Sequence, residues 1–151
     1  MDEMFPDIVG SEENVARIIF SPSFIYEGRV SPTAFRWEML PSGTVEDYIS
    51  VLRGNTSNLD AETRSFKART QGDTRYGYAL LSVSAIRNIQ ILPDDNVDVD
   101  VKAYPSKNLP SHAGIIADVD GNRVTALTSI TPEIMRLQKR LAMLCGDIVK
   151  F

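Results

Sequence analysis

Polar and apolar residues alternate most regularly over "NVDVDVKAYP", residues 96–105. Val97, Val99, Val101 and Ala103 point one way there, and Asp98, Asp100, Lys102 and Tyr104 the other. A period of two is that of a strand with one wet face. "VARIIF" (15–20) is rich in β-branched residues and stops at Ser21-Pro22, which predicts a short strand. "DYISVLRG" (47–54) sets Tyr48, Ser50 and Leu52 against Ile49 and Val51, and Gly54 closes it as a further strand. "HAGIIADV" (112–119) reads as a strand, "DGN" as a tight turn and "RVTALTSI" as its return partner. "YGYALLSVSAIRNIQIL" (76–92) is apolar on both faces. Periodicity therefore leaves two readings of it, one buried strand followed by a helical turn around 84–88, or two strands.

Two segments change to a helical period. In 57–70, Asn58 or Asp60 can cap the first turn, and Leu59, Thr63 and Phe66 make a thin apolar stripe that Gly72 and Asp73 end. A short, peripheral helix is expected there. Near the C-terminus Thr131 is a natural N-cap and Pro132 suits the first helical position, where its missing N–H costs nothing. Ile134, Leu137, Leu141, Leu144 and Ile148 form a core stripe, Arg136, Lys139 and Arg140 face water, and Gly146 loosens or ends the helix. Residues 1–14 read as a loosely ordered lead-in. The sum is an α+β chain forming a single domain over 1–151: a mixed or antiparallel sheet of short strands with a C-terminal helix packed on it, and no regular βαβ alternation.

Composition narrows the possible functions. A chain of 151 residues fits one core and needs no disulfide or metal to stay folded. The formal net charge of −4 argues against a sequence-independent grip on nucleic acid. Arg64, Lys67, Arg69 and Arg75, set among Glu62 and Asp73, read as a solvated helix face. No window approaches the roughly 18 apolar residues of a membrane span, so no membrane role is expected. The acidic start shows no export signal, and Cys145 is the single cysteine, which together predict a cytoplasmic protein. On the last helix's apolar face, Cys145 reads as a core residue.

Several chemistries lack their residues. Zinc has no Cys and His set, "DVDGN" (118–122) lacks the further ligands of a calcium loop, and Asp98 and Asp100 need help from elsewhere to hold an ion. No metal is expected. No Gly-rich phosphate loop and no Gly-x-Ser-x-Gly elbow occurs, and no cofactor is expected. His112 is the only histidine and hence the only unperturbed base near neutral pH. Its neighbour Ser111 points to the opposite strand face, so a nucleophile must come from a distance, with Ser31 and Ser50 as candidates. "GRVSPTAFRW" (28–37) groups Arg29, Ser31, Thr33 and Arg36 with Phe35 and Trp37. That reads first as an ordinary strand entry with Phe35 and Trp37 buried on one face, and second as a usable anion- or nucleotide-binding set.

The order "SPTAF" (31–35), "ISV" (49–51), "YGYALLSVSAIR" (76–87) and "PSHAGI" (110–115) resembles a family of small uncharacterised bacterial proteins. Its pattern has a Ser-x-x-Ala-Phe step, a Ser-Val step, a Gly-centred strand ending in Arg, and a Pro-x-His-Ala step. The resemblance covers roughly residues 17–115 and carries no established activity, so it transfers no catalytic residues. It implies that His112 belongs to a recurring pattern with Ser31, Ala34, Phe35, Ser50 and Val51. Family members often carry an Arg- and His-containing stretch upstream. Here "ARIIFSP" keeps Arg17 and has no histidine, which puts a two-imidazole mechanism in doubt.

Two functional readings follow. The favoured one is a non-catalytic binding or accessory protein that recognises a protein partner. The alternative is an enzyme, a transferase or hydrolase acting on a nucleotide-like anionic ligand. There Arg17, Arg29, Ser31, Ser50 and His112 converge on a cleft, His112 serves as acid/base, and the arginines, with Phe35, hold the ligand.

Overall fold

Strand β1 (Asn14–Ser21) buries Val15, Ala16, Arg17, Ile18 and Ile19 in succession, and a strand covered on both faces belongs inside a sheet. The computed structural model, which describes residues 6–54, 56–89 and 96–151, places it there. The other strands of the main sheet are β4 (Ile49–Arg53), β5 (Thr74–Ser82), β6 (Val97–Ala103), β7 (His112–Val119), β8 (Asn122–Arg123) and β9 (Val149–Lys150). Their order is β6-β7-β4-β1-β5-β9, with β8 paired on β7, and each of these pairings is antiparallel. A separate small hairpin joins β2 (Ile25–Tyr26) to β3 (Arg29–Val30), and one 3-10 turn, Pro32–Ala34, follows it.

The two faces of the sheet differ in depth. On one, Val15, Ile19, Ile49, Val51, Leu81, Val101 and Ile115 pack against helix α2 (Val83–Arg87) and helix α3 (Pro132–Leu144). The other carries a smaller cluster of Ala16, Ile18, Leu52 and Leu59, with Phe20, Phe66, Tyr78, Leu80 and Leu109 partly buried against it. The chain is thus an α+β single domain, with a mostly antiparallel sheet and the C-terminal helix on its thicker side.

Local chemistry explains the helix limits. Thr131 Oγ1 accepts a hydrogen bond from the Ile134 N–H at 3.3 Å, and Pro132 stands at the first helical position of α3. Ile134, Leu137 and Leu141 are buried; Leu144 and Ile148 are partly buried, and the helix stops at Leu144, two residues before Gly146. Residues 76–89 follow the strand-then-helix reading. Ser82 ends β5 and caps α2 by accepting from the Ala85 N–H at 3.2 Å. Residues 90–92 of that stretch lie outside the described residues.

The structure corrects two expectations, a helix and a return strand. The helix expected over 57–70 is only α1 (Leu59–Glu62), preceded by a 3-10 turn at Thr56–Asn58. Thr63 stops it by turning its hydroxyl back to the Leu59 carbonyl at 2.6 Å. Arg64, Lys67, Arg69 and Arg75 are therefore not a helix face. The return strand expected after the "DGN" turn pairs only over Asn122–Arg123, because Thr125 and Thr128 close a turn of their own, Thr128 Oγ1 accepting from the Thr125 N–H at 2.9 Å. Of the expected lead-in, residues 1–5 lie outside the described residues, and in 6–13 Val9 is 1% exposed. Arg53 contacts both ends of that segment. Its guanidinium takes both carboxylate oxygens of Glu13, at 2.9 and 2.8 Å, and the Pro6 carbonyl at 2.7 Å.

A candidate active site where two strands diverge

Strands β1 and β4 pair at Val15 with Arg53 and at Ala16 with Leu52, and go no further. Continued in register, Ile18 would face Ser50. Instead β1 stays with β5 as far as Ser21 and β4 stays with β7 as far as Ile49, so the two strands part. A cavity of about 450 Å³ opens at the divergence, within the usual range of roughly 300–1,000 Å³ for small-molecule sites. Arg17 supplies what the broken ladder lacks. Its Nη1 donates to the Ser50 carbonyl at 2.7 Å and its Nε to the Ala34 carbonyl at 2.9 Å. It is 8% exposed, and burial pushes its pKa down to about 10, opposed by Glu38 and Glu46 nearby. At neutral pH it remains a cation.

Ser50 and His112 meet on the cavity wall. In the β4–β7 ladder His112 stands opposite Leu52, and Ser50 stands opposite Gly114, so the two side chains are diagonal neighbours on one face. Ser50 Oγ lies 2.7 Å from His112 Nε2, and His112 Nδ1 lies 2.9 Å from the Tyr104 carbonyl. A carbonyl only accepts, so Nδ1 carries the ring proton and donates to it. In the neutral ring Nε2 is then the acceptor, and the Ser50 hydroxyl is the donor. Burial holds the His112 pKa below its ordinary 6.5, with the hydrogen bond to Tyr104 pulling the other way. The result is a neutral base aimed at a serine hydroxyl.

Aromatic rings fix the imidazole. Tyr48 meets the His112 ring edge-on at 5.6 Å between centroids and stacks on Tyr104 at 4.8 Å. Gly114 makes room for them. A β-carbon there would sit 2.7 Å from Tyr48 Cβ and 2.8 Å from the Tyr104 ring.

The remaining walls are charged and aromatic. Arg36, Lys67 and Arg69 join Arg17 as cations, Glu38 and Glu46 are the acids, and Phe20 and Phe66 add rings. Glu38 and Glu46 face each other across a small hairpin, in which the Glu46 N–H donates to the Glu38 carbonyl at 3.0 Å. Burial, and then the Glu38 charge, hold the Glu46 carboxyl above its ordinary range. Burial likewise raises the Tyr48 phenol, and the Glu46 charge adds to the shift.

Of the residues singled out from sequence as candidate chemistry, the fold brings Arg17, Arg36, Ser50 and His112 to this cavity. Ser31 caps the 3-10 turn, its Oγ accepting from the Thr33 N–H at 3.3 Å. Arg29 lines a separate depression beside α3 together with Lys139 and Cys145. Phe35 is fully buried in the main core and meets α3 through its carbonyl, which accepts from Gln138 Nε2 at 2.8 Å. The Cys145 thiol is pushed up to about 12 by burial, so it supplies no thiolate at neutral pH. Among the described residues no group of three or more His, Cys, Asp or Glu side chains is placed to hold a metal ion. Glu38 and Glu46 are cavity residues that sequence reasoning passed over, whereas Lys67 and Arg69, read as a solvated helix face, and Phe66, read as part of an apolar stripe, turn out to line the cavity. Tyr48 carried a positional signal as well, since the alternation over 47–54 sets it on the face of Ser50.

No family model, no curated protein and no solved structure matches this chain.

Proposed function

We propose that the protein is a hydrolase acting on a small phosphate-bearing molecule of the nucleotide class, with Ser50 as nucleophile and His112 as its base. The observation that carries this reading is the 2.7 Å contact between Ser50 Oγ and His112 Nε2 on the wall of a cation-lined cavity. The cations favour phosphoryl over acyl chemistry, because they match charge spread over several phosphate oxygens. In the first step Ser50 Oγ attacks phosphorus and gives its proton to His112 Nε2. The bond from phosphorus to the leaving oxygen breaks, and the imidazolium returns the proton to that oxygen. Water then attacks the seryl phosphoester while His112 again accepts a proton. The bond from phosphorus to Oγ breaks, and Ser50 is reprotonated.

A second reading keeps the same ligand and omits turnover. It is supported by the group that orients His112, a neutral carbonyl rather than the carboxylate that stabilises imidazolium in a catalytic triad. The two part on one assay, turnover of bis(para-nitrophenyl) phosphate against para-nitrophenyl acetate. The hydrolase turns over the phosphodiester in preference. Ser50→Ala and His112→Asn, shown by thermal melting to be folded, lose roughly 10²–10⁴-fold of that rate. Equal rates in the wild type and Ser50→Ala leave only binding. A cytoplasmic setting goes with both readings, since the single cysteine is engaged in packing.

A further inference from the structure

We infer that Arg36 and Arg69 form the phosphate subsite of this cavity and that Glu38 occupies it as an internal stand-in for the ligand's anion. The inference rests on the reading of the cavity as a phosphate-handling site. It names the residues that hold the phosphate and the group that must yield to it.

Glu38 divides its carboxylate between two guanidinium groups. One oxygen meets Arg36 Nε at 3.2 Å and the other Arg69 Nε at 3.1 Å. Both contacts are longer than the roughly 2.7–2.9 Å of a good charge-assisted bond, and neither is a two-toothed fork. The same molecule makes tight pairs elsewhere: Arg53 grips Glu13 at 2.9 and 2.8 Å, and Arg87 meets Asp100 at 2.7 Å. Two arginines spread around one planar carboxylate are better matched by a tetrahedral phosphate, which offers more oxygens and more charge. Arg36 holds its place independently of Glu38. Its Nη2 donates to Thr70 Oγ1, and its guanidinium lies over the Phe24 ring at 5.2 Å. Among the described residues the Glu38 carboxylate has no other hydrogen-bond partner, so a competing anion has two loose contacts to displace. Lys67 and Arg17 line the same cavity and raise its affinity for anions, although the chain as a whole has a net charge of −4.

Isothermal titration on a Ser50→Ala background tests the subsite apart from turnover, with inorganic phosphate, adenosine monophosphate and adenosine as probes. Adding Glu38→Gln is expected to tighten phosphate and nucleotide binding about tenfold, while Arg36→Met and Arg69→Met weaken it about tenfold. Adenosine, which lacks the anion, is unaffected by any of the three. Equal gains for phosphate and nucleotide support the subsite and mark the bare oxyanion as sufficient. Unchanged or weaker binding in Glu38→Gln overturns the inference, as does nucleotide binding by Arg69→Met at parental strength. Arg69 is more than a third exposed, so its substitution decides the matter even if Glu38→Gln does not fold. Loss of turnover in the Ser50-containing protein bears on the dyad, and the titrations bear on the subsite alone.

Discussion

Arg17 Nη1 donates to the Ser50 carbonyl at 2.7 Å at the point where β1 and β4 stop pairing. One side chain thus satisfies a backbone acceptor that the sheet has abandoned, and it sets the position of the residue whose hydroxyl meets His112. Arg17→Met removes donors from two carbonyls, those of Ser50 and Ala34, and is expected to cost about 3 kcal/mol in a urea melt. Arg17→Lys recovers only part of this, because one ammonium does not reproduce the planar fork that reaches both acceptors. A lysine variant as stable as the wild type would show that the fork is not needed.

His112 is expected to titrate below its ordinary 6.5 in a proton NMR pH series, since burial disfavours the imidazolium. The sign of the linked stability follows. The unfolded chain takes up a proton near 6.5 and the folded chain only at lower pH, so stability is full above 6.5 and is lost as pH falls through the folded value. His112→Asn is expected to flatten that part of the stability profile. Turnover follows the same sign, level above 6.5 and falling as Nε2 becomes protonated. A rise of the His112 pKa above 6.5 would contradict the buried neutral base.

Gly114→Ala places a methyl group within 2.7 Å of Tyr48 Cβ and 2.8 Å of the Tyr104 ring. Crowding of this kind is expected to cost roughly 1–3 kcal/mol and to break the Tyr48–Tyr104 stack that supports the imidazole. Thermal melting reads the first effect, and the His112 ring shifts in an NMR spectrum read the second. An alanine variant with wild-type stability and unmoved His112 resonances would remove this role from Gly114.

How far the sequence discloses this architecture depends on where each determinant sits. Residues 97–103 and 132–144 were legible because a single wet face and a Thr-Pro start leave marks along the chain itself. Residues 63–70 were not. Their helical pattern is overridden when Thr63 bonds back to Leu59 and Phe66 turns onto the thin face of the sheet. His112 stood out as the only imidazole, and the alternation over 47–54 set Ser50 and Tyr48 on one face. The meeting of Ser50 with His112 needed the β4–β7 register. The role of Arg17 depends on two backbone carbonyls, and backbone acceptors have no sequence signature. Glu38 and Arg69 are joined only by the folding of two irregular segments, which periodicity does not describe.

Whether His112 activates Ser50 inside this cavity is decided by covalent labelling. The protein is treated with a fluorophosphonate, and the adduct is mapped by mass spectrometry in the wild type and in a folded His112→Asn variant. One phosphonyl group is expected on Ser50 in the wild type, with labelling slowed by roughly 10²-fold or more in the variant. Absence of label on Ser50, or the same labelling rate with His112 replaced, would contradict activation of Ser50 by His112.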